Sequence, residues 1–366
     1  MLSVMRKIKS IIFGMIAGAN VVTIIVMLML GFADHINPVS HPSISGLGMF
    51  FPFAALANLF FLFLWLTIKW RMAWIPFVGF LLAYAPMRTY MPFNLPSSPP
   101  KDAIKIISYN IAGYASAADS ADGFKLITEY IREQKPDIFC TQEDNDTKPR
   151  TDEFYESTFP YNDTYKINES DKVINRVGIH TRYPILRTER ISYSSVSNGS
   201  IAWYLKVGND TLIVINNHLE ATHLTKDDRD QYRQIVHGDM ESDTARAEYK
   251  RLLAKLADAS TKRAPAADSI HRYIQAHSNY PIVVCGDFND HPLSYTRRVI
   301  AKNMTDCFVS TGNGIGRSFN RYGMYFRIDH LICSKNIQPF QCKIDSKITA
   351  SDHYPVVCWL KIGRNP

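Results

Sequence analysis

Hydrophobic positions are arranged in two different ways along this chain. Between Lys9 and Asp34, and again between Asp34 and Lys69, no Asp, Glu, Lys or Arg interrupts the sequence. The spans 11–32 and 47–68 are each long enough to cross the ~30 Å of hydrocarbon in a bilayer. A third uncharged run, Met72 to Met87, contains Pro76 and Pro86 and continues past Arg88 to Pro92. Snorkelling by Arg88 lets it count as a third crossing over 72–92, with a re-entrant or interfacial segment as the alternative. Residues 1–92 therefore read as a membrane region of three transmembrane helices. A cleaved signal peptide competes for the first span, but such peptides carry at most about 15 apolar residues and are not followed by a second span.

From residue 104 the pattern shortens into β-rich apolar runs alternating with helical stretches near 121–134 and 244–277. The second stretch is expected to break near Pro265 and to present Leu252, Leu253 and Leu256 as an apolar face. Residues 93–103, rich in Pro and Ser, read as a stiff extended linker. Residues 104–366 are enough for one large α/β domain with a full core.

Charge adds an orientation. Arg6, Lys7 and Lys9 precede the first span, Lys69 and Arg71 follow the second, and the loop between has neither Lys nor Arg. By the positive-inside rule the N-terminus and the 69–71 turn face the cytoplasm. Three crossings then place residues 101–366 outside the cytoplasm, in the periplasm or at the outer face of a bacterial cell. The formal charge of +7 is carried mostly by the apolar region: residues 1–100 hold six Lys and Arg against the single Asp34, which leaves +2 for the remainder. That is far from the basic field of a dedicated duplex binder. Arg317, Arg321 and Arg327, interleaved with Phe319, Tyr322, Tyr325 and Phe326, read either as a grip for a phosphorylated substrate or as a solvated loop. All six cysteines follow residue 101. Cys140, Cys285, Cys333 and Cys358 lie in apolar runs and read as buried, whereas Cys307 and Cys342 sit in more polar surroundings and are candidates to pair in an oxidising compartment.

Several apolar runs end in acids, amides or imidazoles. Pro281 to Cys285 runs into Gly286-Asp287-Phe288-Asn289-Asp290, and Ile104 to Tyr109 ends in Asn110. Asp137 to Thr141 ends in Gln142-Glu143, and Leu212 to Ile215 in Asn216-Asn217-His218. Asp329 lies inside its own run, and Ser351-Asp352-His353 precedes Val356 to Leu360. Any one such end is an ordinary solvated loop mouth. Together they offer oxygen ligands suited to Mg²⁺ or Mn²⁺ and imidazoles suited to proton transfer, the equipment of metal-assisted phosphoester hydrolysis.

These segments resemble the endonuclease/exonuclease/phosphatase superfamily, which includes deoxyribonuclease I, repair endonucleases, inositol polyphosphate 5-phosphatases and neutral sphingomyelinases. The resemblance covers about residues 104–361. It implies an α/β (α+β) four-layer sandwich of two mixed β-sheets flanked by helices, with the site at one end. It also implies metal ligation by Glu143 and Asn110, with Asp352 ligating directly or through water. The intact Gly-Asp-Phe-Asn motif assigns Asp287 to water alignment or deprotonation, with Asn289 and His218 holding phosphoryl oxygens. His353 becomes the general base, oriented by Asp329. Gly178 to Pro184 resembles the family's Ser-Arg-Tyr-Pro strand, with Thr181 in place of Ser. His at 218, where the repair endonucleases carry Tyr, points to the deoxyribonuclease, sphingomyelinase and 5-phosphatase branches.

The expectation is a membrane-anchored, Mg²⁺-dependent phosphodiesterase, first of all a nuclease. A lipid phosphodiesterase or an inositol-phosphate phosphatase is the alternative, and a membrane-tethered binding module with a silent site is the non-enzyme alternative. The partners expected are a phosphodiester substrate, nucleic acid or phospholipid headgroup, and the membrane. The sequence points to no protein partner.

Overall fold

The computed structural model describes residues 2–114, 122–145, 149–167, 175–195, 198–222, 227–228, 230–231, 234, 242–320 and 326–363. Twelve strands carry the C-terminal part: β1 Ile104–Asn110, β2 Ile138–Gln142, β3 Tyr161–Lys166, β4 Arg176–Thr181, β5 Ile185–Ile191, β6 Gly199–Val207, β7 Asp210–His218, β8 Ile282–Asp287, β9 Thr305–Asp306, β10 Asp329–Cys333, β11 Ile337–Ile344 and β12 Val356–Ile362. They form two six-stranded sheets, in the orders β11-β12-β1-β2-β4-β3 and β5-β6-β7-β8-β10-β9. Both are mixed, with β1 parallel to β2 and β7 parallel to β8 among otherwise antiparallel neighbours.

Strand periodicity explains why the runs are apolar on both faces. Ile106 of β1 and Val283 and Cys285 of β8 point into the core between the sheets. Their neighbours Ile107, Ile282 and Val284 point outward and are covered by helices. Helices Gly123–Gln134 and Pro149–Thr158 lie over the first sheet, and Ile127, Ile131 and Phe154 join the core there. The long helix Ser242–Ala276 lies over the second sheet through Ala267, Ile270 and Ile274. The result is the four-layer sandwich that the resemblance implies.

The expected break at Pro265 is absent, and one helix continues through it. Pro265 itself is exposed, while Ala264, Ala266, Ala267 and Ile270 beside it are buried. Burial on both sides of the proline outweighs the lost backbone bond of about 3 kcal/mol. All six cysteines are buried free thiols. Cys307 and Cys342 belong to the inter-sheet core rather than to a polar loop, and Cys307 Sγ lies 3.6 Å from Cys333 Sγ.

The N-terminal part is helical: Leu2–Gly31, Phe51–Ile68, and a third segment in two pieces, Trp74–Leu82 and Tyr84–Tyr90. The third is divided at Ala83 because Pro86 has no N–H to give the Leu82 carbonyl. The first two are long and apolar enough to cross a membrane. Asn58 ties all three together: its amide donates to Pro76 O at 3.0 Å and accepts from Asn20 Nδ2 at 3.0 Å, and Trp65 Nε1 donates to Asn20 Oδ1 at 3.1 Å.

The 92–100 stretch is extended but not free. Asn94 N donates to Asn313 Oδ1 at 2.6 Å, its side-chain amide reaches Val309 O at 3.2 Å, and Gly314 N donates to Pro92 O at 2.9 Å. Arg327 is fully buried behind it. Its guanidinium donates to Thr89 O at 2.6 Å, Tyr90 O at 3.4 Å and Ile315 O at 2.6 Å, and lies over the Phe308 ring at 4.4 Å. Neither sequence reading of Arg327 holds. It caps the last helix of the N-terminal part instead of gripping a ligand or standing in solvent. Arg321, Tyr322 and Tyr325 lie outside the described residues.

Candidate active site

Strand register gathers the site. In the second sheet Asp287, the last residue of β8, is paired with His218 of β7 and with Asp329 of β10. In the first sheet Asn110 ends β1 opposite Gln142 of β2, which places Glu143 just beyond the strand. Gly286 is what permits the close approach of β7 to β8. Its φ is +123°, and a Cβ there would fall 2.1 Å from Asn217 O. Beyond the strand ends Glu143 and Asn289 adopt positive φ, 53° and 52°, which turns the chain at the point where each side chain is presented.

Asp287 is buried and held from three directions. It accepts from Asn289 N at 2.8 Å, Asn110 Nδ2 at 3.1 Å and Asn289 Nδ2 at 3.2 Å. Asn110 Nδ2 also donates to Glu143 Oε1 at 3.0 Å, so one amide joins carboxylates from two sheets. The second use of the Asn289 amide is Leu219 O at 2.9 Å, so this side chain fixes the Asp287 loop. Glu143, by contrast, is 38% exposed and opens into a cleft together with Asp352.

His353 Nδ1 donates to Asp329 Oδ2 at 2.8 Å, and its other nitrogen faces Asp287 Oδ2 at 3.7 Å. Ser351 fixes this loop by donating to Asn110 O at 2.7 Å and accepting from His353 N at 3.2 Å. The Phe319 ring packs edge-on against the imidazole at 5.2 Å. His218 Nε2 lies 3.6 Å from Glu143 Oε1 and 3.8 Å from Asp287 Oδ2. Its Nδ1 bonds the side chain of Asn175. Asn175 is a member of this constellation that sequence reasoning did not pick, since nothing near it ends an apolar run. Asn216 and Gln142, by contrast, serve the scaffold. Gln142 Nε2 donates to Asn216 Oδ1 at 2.6 Å, and the Asn216 amide donates to Thr141 O and Gly178 O, locking one sheet to the other. Thr181 likewise has a backbone task, donating to Asp137 O at 3.2 Å and accepting from Tyr183 N.

Electrostatics divides the buried groups. Burial raises Asp287 to about 6, against the pull of the imidazoles of His353 and His218. For His353 burial works against the imidazolium, but the carboxylates of Asp329 and Asp287 outweigh it and lift the group to about 10. Four carboxylates, Glu143, Asp287, Asp329 and Asp352, thus converge on two imidazoles, an excess of negative charge with hard oxygen donors. That donor set fits a divalent cation. Ligand atoms of Asp287, Asp329 and His353 lie within 4.8 Å of one another, a grouping of the kind that holds such an ion. Because Asp329 is already bonded to His353, the acids left to face an ion or the water beside it are Asp287 and, in the same cleft, Glu143 and Asp352.

The sequence comparisons agree with this geometry. The model of the endonuclease/exonuclease/phosphatase family matches residues 107–353, and the chain belongs to that family. A second model, for a domain of unknown function, matches residues 10–90. No curated protein matches the chain. Among solved structures, an endonuclease/exonuclease/phosphatase from Beutenbergia cavernae superposes with a TM-score of 0.50 at 15% identity, covering 71% of this chain and 72% of that one. A family protein from Bacteroides thetaiotaomicron gives 0.50 at 14% identity, covering 72% of this chain and 99% of that one. At such identity the likeness is one of fold.

Proposed function

We propose that this chain is a membrane-anchored, Mg²⁺-dependent phosphodiesterase. The observation that carries the reading is the convergence of the Asp329-bonded His353 on Asp287, Nε2 to Oδ2 3.7 Å, with the Glu143 carboxylate joined to Asp287 through Asn110. Glu143, Asn110 and Asp352 would hold the metal. When bound, a divalent cation supplies positive charge that neutralises phosphoryl oxygens and offsets the carboxylate field around His353. With that field offset, His353 would be neutral, its Nδ1–H donating to Asp329 and its free Nε2 placed to take the proton of water. Asp287 orients that water, and His218, set by Asn175, faces the phosphoryl oxygens as charge develops. The preference for a nuclease drawn from His218 concerns a group that serves any phosphodiester, so the reading is made for the bond cleaved and not for the leaving group. Manganese, with the same oxygen preference, is expected to substitute.

The helical region supports anchoring because its outer surface is apolar while two amides lie inside it. Asn20 and Asn58 are fully buried, whereas Ile11, Met15, Leu56, Phe60 and Phe63 are each at least 60% exposed. The loop between the first two helices rests on the sandwich: Asn37 Nδ2 donates to Tyr295 OH at 3.3 Å and Thr261 Oγ1 to Pro38 O at 3.3 Å. Loop and sandwich therefore share one side, which supports a third crossing by residues 74–90. With the positive-inside rule, that side is extracytoplasmic.

The test uses the purified full-length chain and bis(p-nitrophenyl) phosphate. Hydrolysis requires Mg²⁺ and stops with EDTA, and Asp287→Asn or His353→Ala lowers it by about a thousandfold with an unchanged circular dichroism spectrum. Turnover that survives EDTA, or a variant that keeps the parental rate, refutes the reading.

A further inference from the structure

The carboxylates and imidazoles occupy one part of a cleft of about 330 Å³, and much of the rest of its lining is hydrocarbon. Leu252 and Leu256 come from the long helix, and Phe319 and Phe326 from the segment before Asp329. Gly46 and Met49 come from the loop that leads into the second apolar helix at Phe51. That loop is built into the wall. A Cβ on Gly48 would fall 2.6 Å from Leu293 O and 2.8 Å from His291, and the Phe50 ring lies 6.2 Å from that of Tyr249. The helical region thus completes the catalytic cleft as well as anchoring it.

The charge of the lining is as informative. Among the described residues lining the cleft, Arg263 is the one Lys or Arg, and it is committed to Asp290 Oδ2 at 3.1 Å and Glu220 O at 3.0 Å. A polyanion tracked along its backbone needs a row of free cations. The described lining offers instead one phosphate-sized group of acids and imidazoles, continuous with an apolar surface that leads toward a helix with outward-facing Phe53, Leu56 and Phe60.

We infer that the substrate is an amphiphilic phosphodiester taken from the bilayer, with a hydrocarbon chain lying along Met49, Leu252 and Leu256 while its phosphate meets Asp287 and His353. The inference rests on the phosphodiesterase reading and names the substrate class of that site. In the reaction the water oxygen bonds to phosphorus and one P–O ester bond breaks. The leaving alkoxide regains a proton, giving a phosphate monoester and an alcohol.

The experiment keeps the leaving group constant and varies the tail. Ethyl, butyl, hexyl and octyl p-nitrophenyl phosphates, below their micelle concentrations, are compared with thymidine 5′-p-nitrophenyl phosphate on the full chain in nanodiscs with Mg²⁺. The value of kcat/KM is expected to rise about threefold to fourfold for each methylene that enters the cleft, and the octyl ester to exceed the nucleotide ester. Met49→Ser and Leu256→Ser, judged only by the octyl-to-ethyl ratio within each variant, bring that ratio toward one. A flat profile with the ethyl ester turned over leaves the phosphodiesterase reading standing and overturns this one. So does a nucleotide ester tenfold faster than the octyl ester, or a ratio that both variants keep. Failure of every ester sinks the phosphodiesterase reading and this one with it.

Discussion

The sandwich and the helical region solve the same packing problem with opposite signs. In the sandwich, side chains such as Trp203, Phe139 and Val283 are wholly buried, and charged helix faces meet solvent. In the helical region many large apolar side chains, Met15, Leu56 and Phe60 among them, face outward, and Asn20, Asn58 and Gly79 share the close contacts with Met27, Phe51 and Trp65. In the bilayer proposed for it, a solvent that is itself hydrocarbon would reduce the reward for hiding leucine and phenylalanine and raise the share of small residues and amide hydrogen bonds in holding the helices together. The difference teaches that burial alone does not identify a core, since its chemical content depends on what lies outside.

Gly→Ala substitutions probe the contrast most strongly. Gly286→Ala sets a Cβ against the Asn217 backbone at a φ that only glycine adopts readily, so a loss above about 4 kcal/mol and no folded sandwich are expected. Gly79→Ala meets only Ile24 and Asn58 side chains, the nearest atom 2.7 Å away, and should cost about 1–3 kcal/mol. Thermal unfolding in detergent ranks the two, and equal losses would erase the distinction.

Acid should act on the sandwich by a second route. Burial, reinforced by Arg327 and partly opposed by Asp306, lowers His330 to about 4. His180 and His291 are lowered as well, again chiefly by burial. The unfolded chain takes up protons as pH falls through about 6.5, while the folded His330 stays neutral until about 4. Stability is therefore full above that window and declines within it, by on the order of 3 kcal/mol for His330. His330→Gln should flatten this part of the unfolding profile between pH 7 and 5, and an unchanged slope would remove the assignment. The smallest effect belongs to Asn58→Ala, about 1 kcal/mol for an interhelical amide in an apolar solvent. A loss several-fold larger in detergent would mean that Asn58 sits in a water-like core.

Sequence legibility followed local chemistry. Asp287, Asn289, Asn110, Glu143 and His218 could be found because each stands where an apolar run stops, and the register of β7, β8 and β10 does the rest. Asn175 had no such marker, since its partner His218 is 43 residues away. The continuity of the helix through Pro265 depends on a sheet assembled from distant strands, which a window around the proline does not contain. The same holds for Cys307 and Cys342, whose polar neighbours in sequence are not their neighbours in space. Met49 falls inside the apolar span 47–68 and Gly46 just before it, and neither stands out in the sequence, because a loop does not announce the surface on which it will lie.

Arg327 carries a mechanical implication. From its place two residues before Asp329 it grips the carbonyls of Thr89 and Tyr90, which makes the joint between the helical region and the sandwich stiff rather than slack. A catalytic head mounted in this way cannot sweep through the space above its attachment. With the proposed anchor and lipid substrate, its working height would be set by the fold, and its encounters with substrate would become a problem of lateral diffusion in two dimensions.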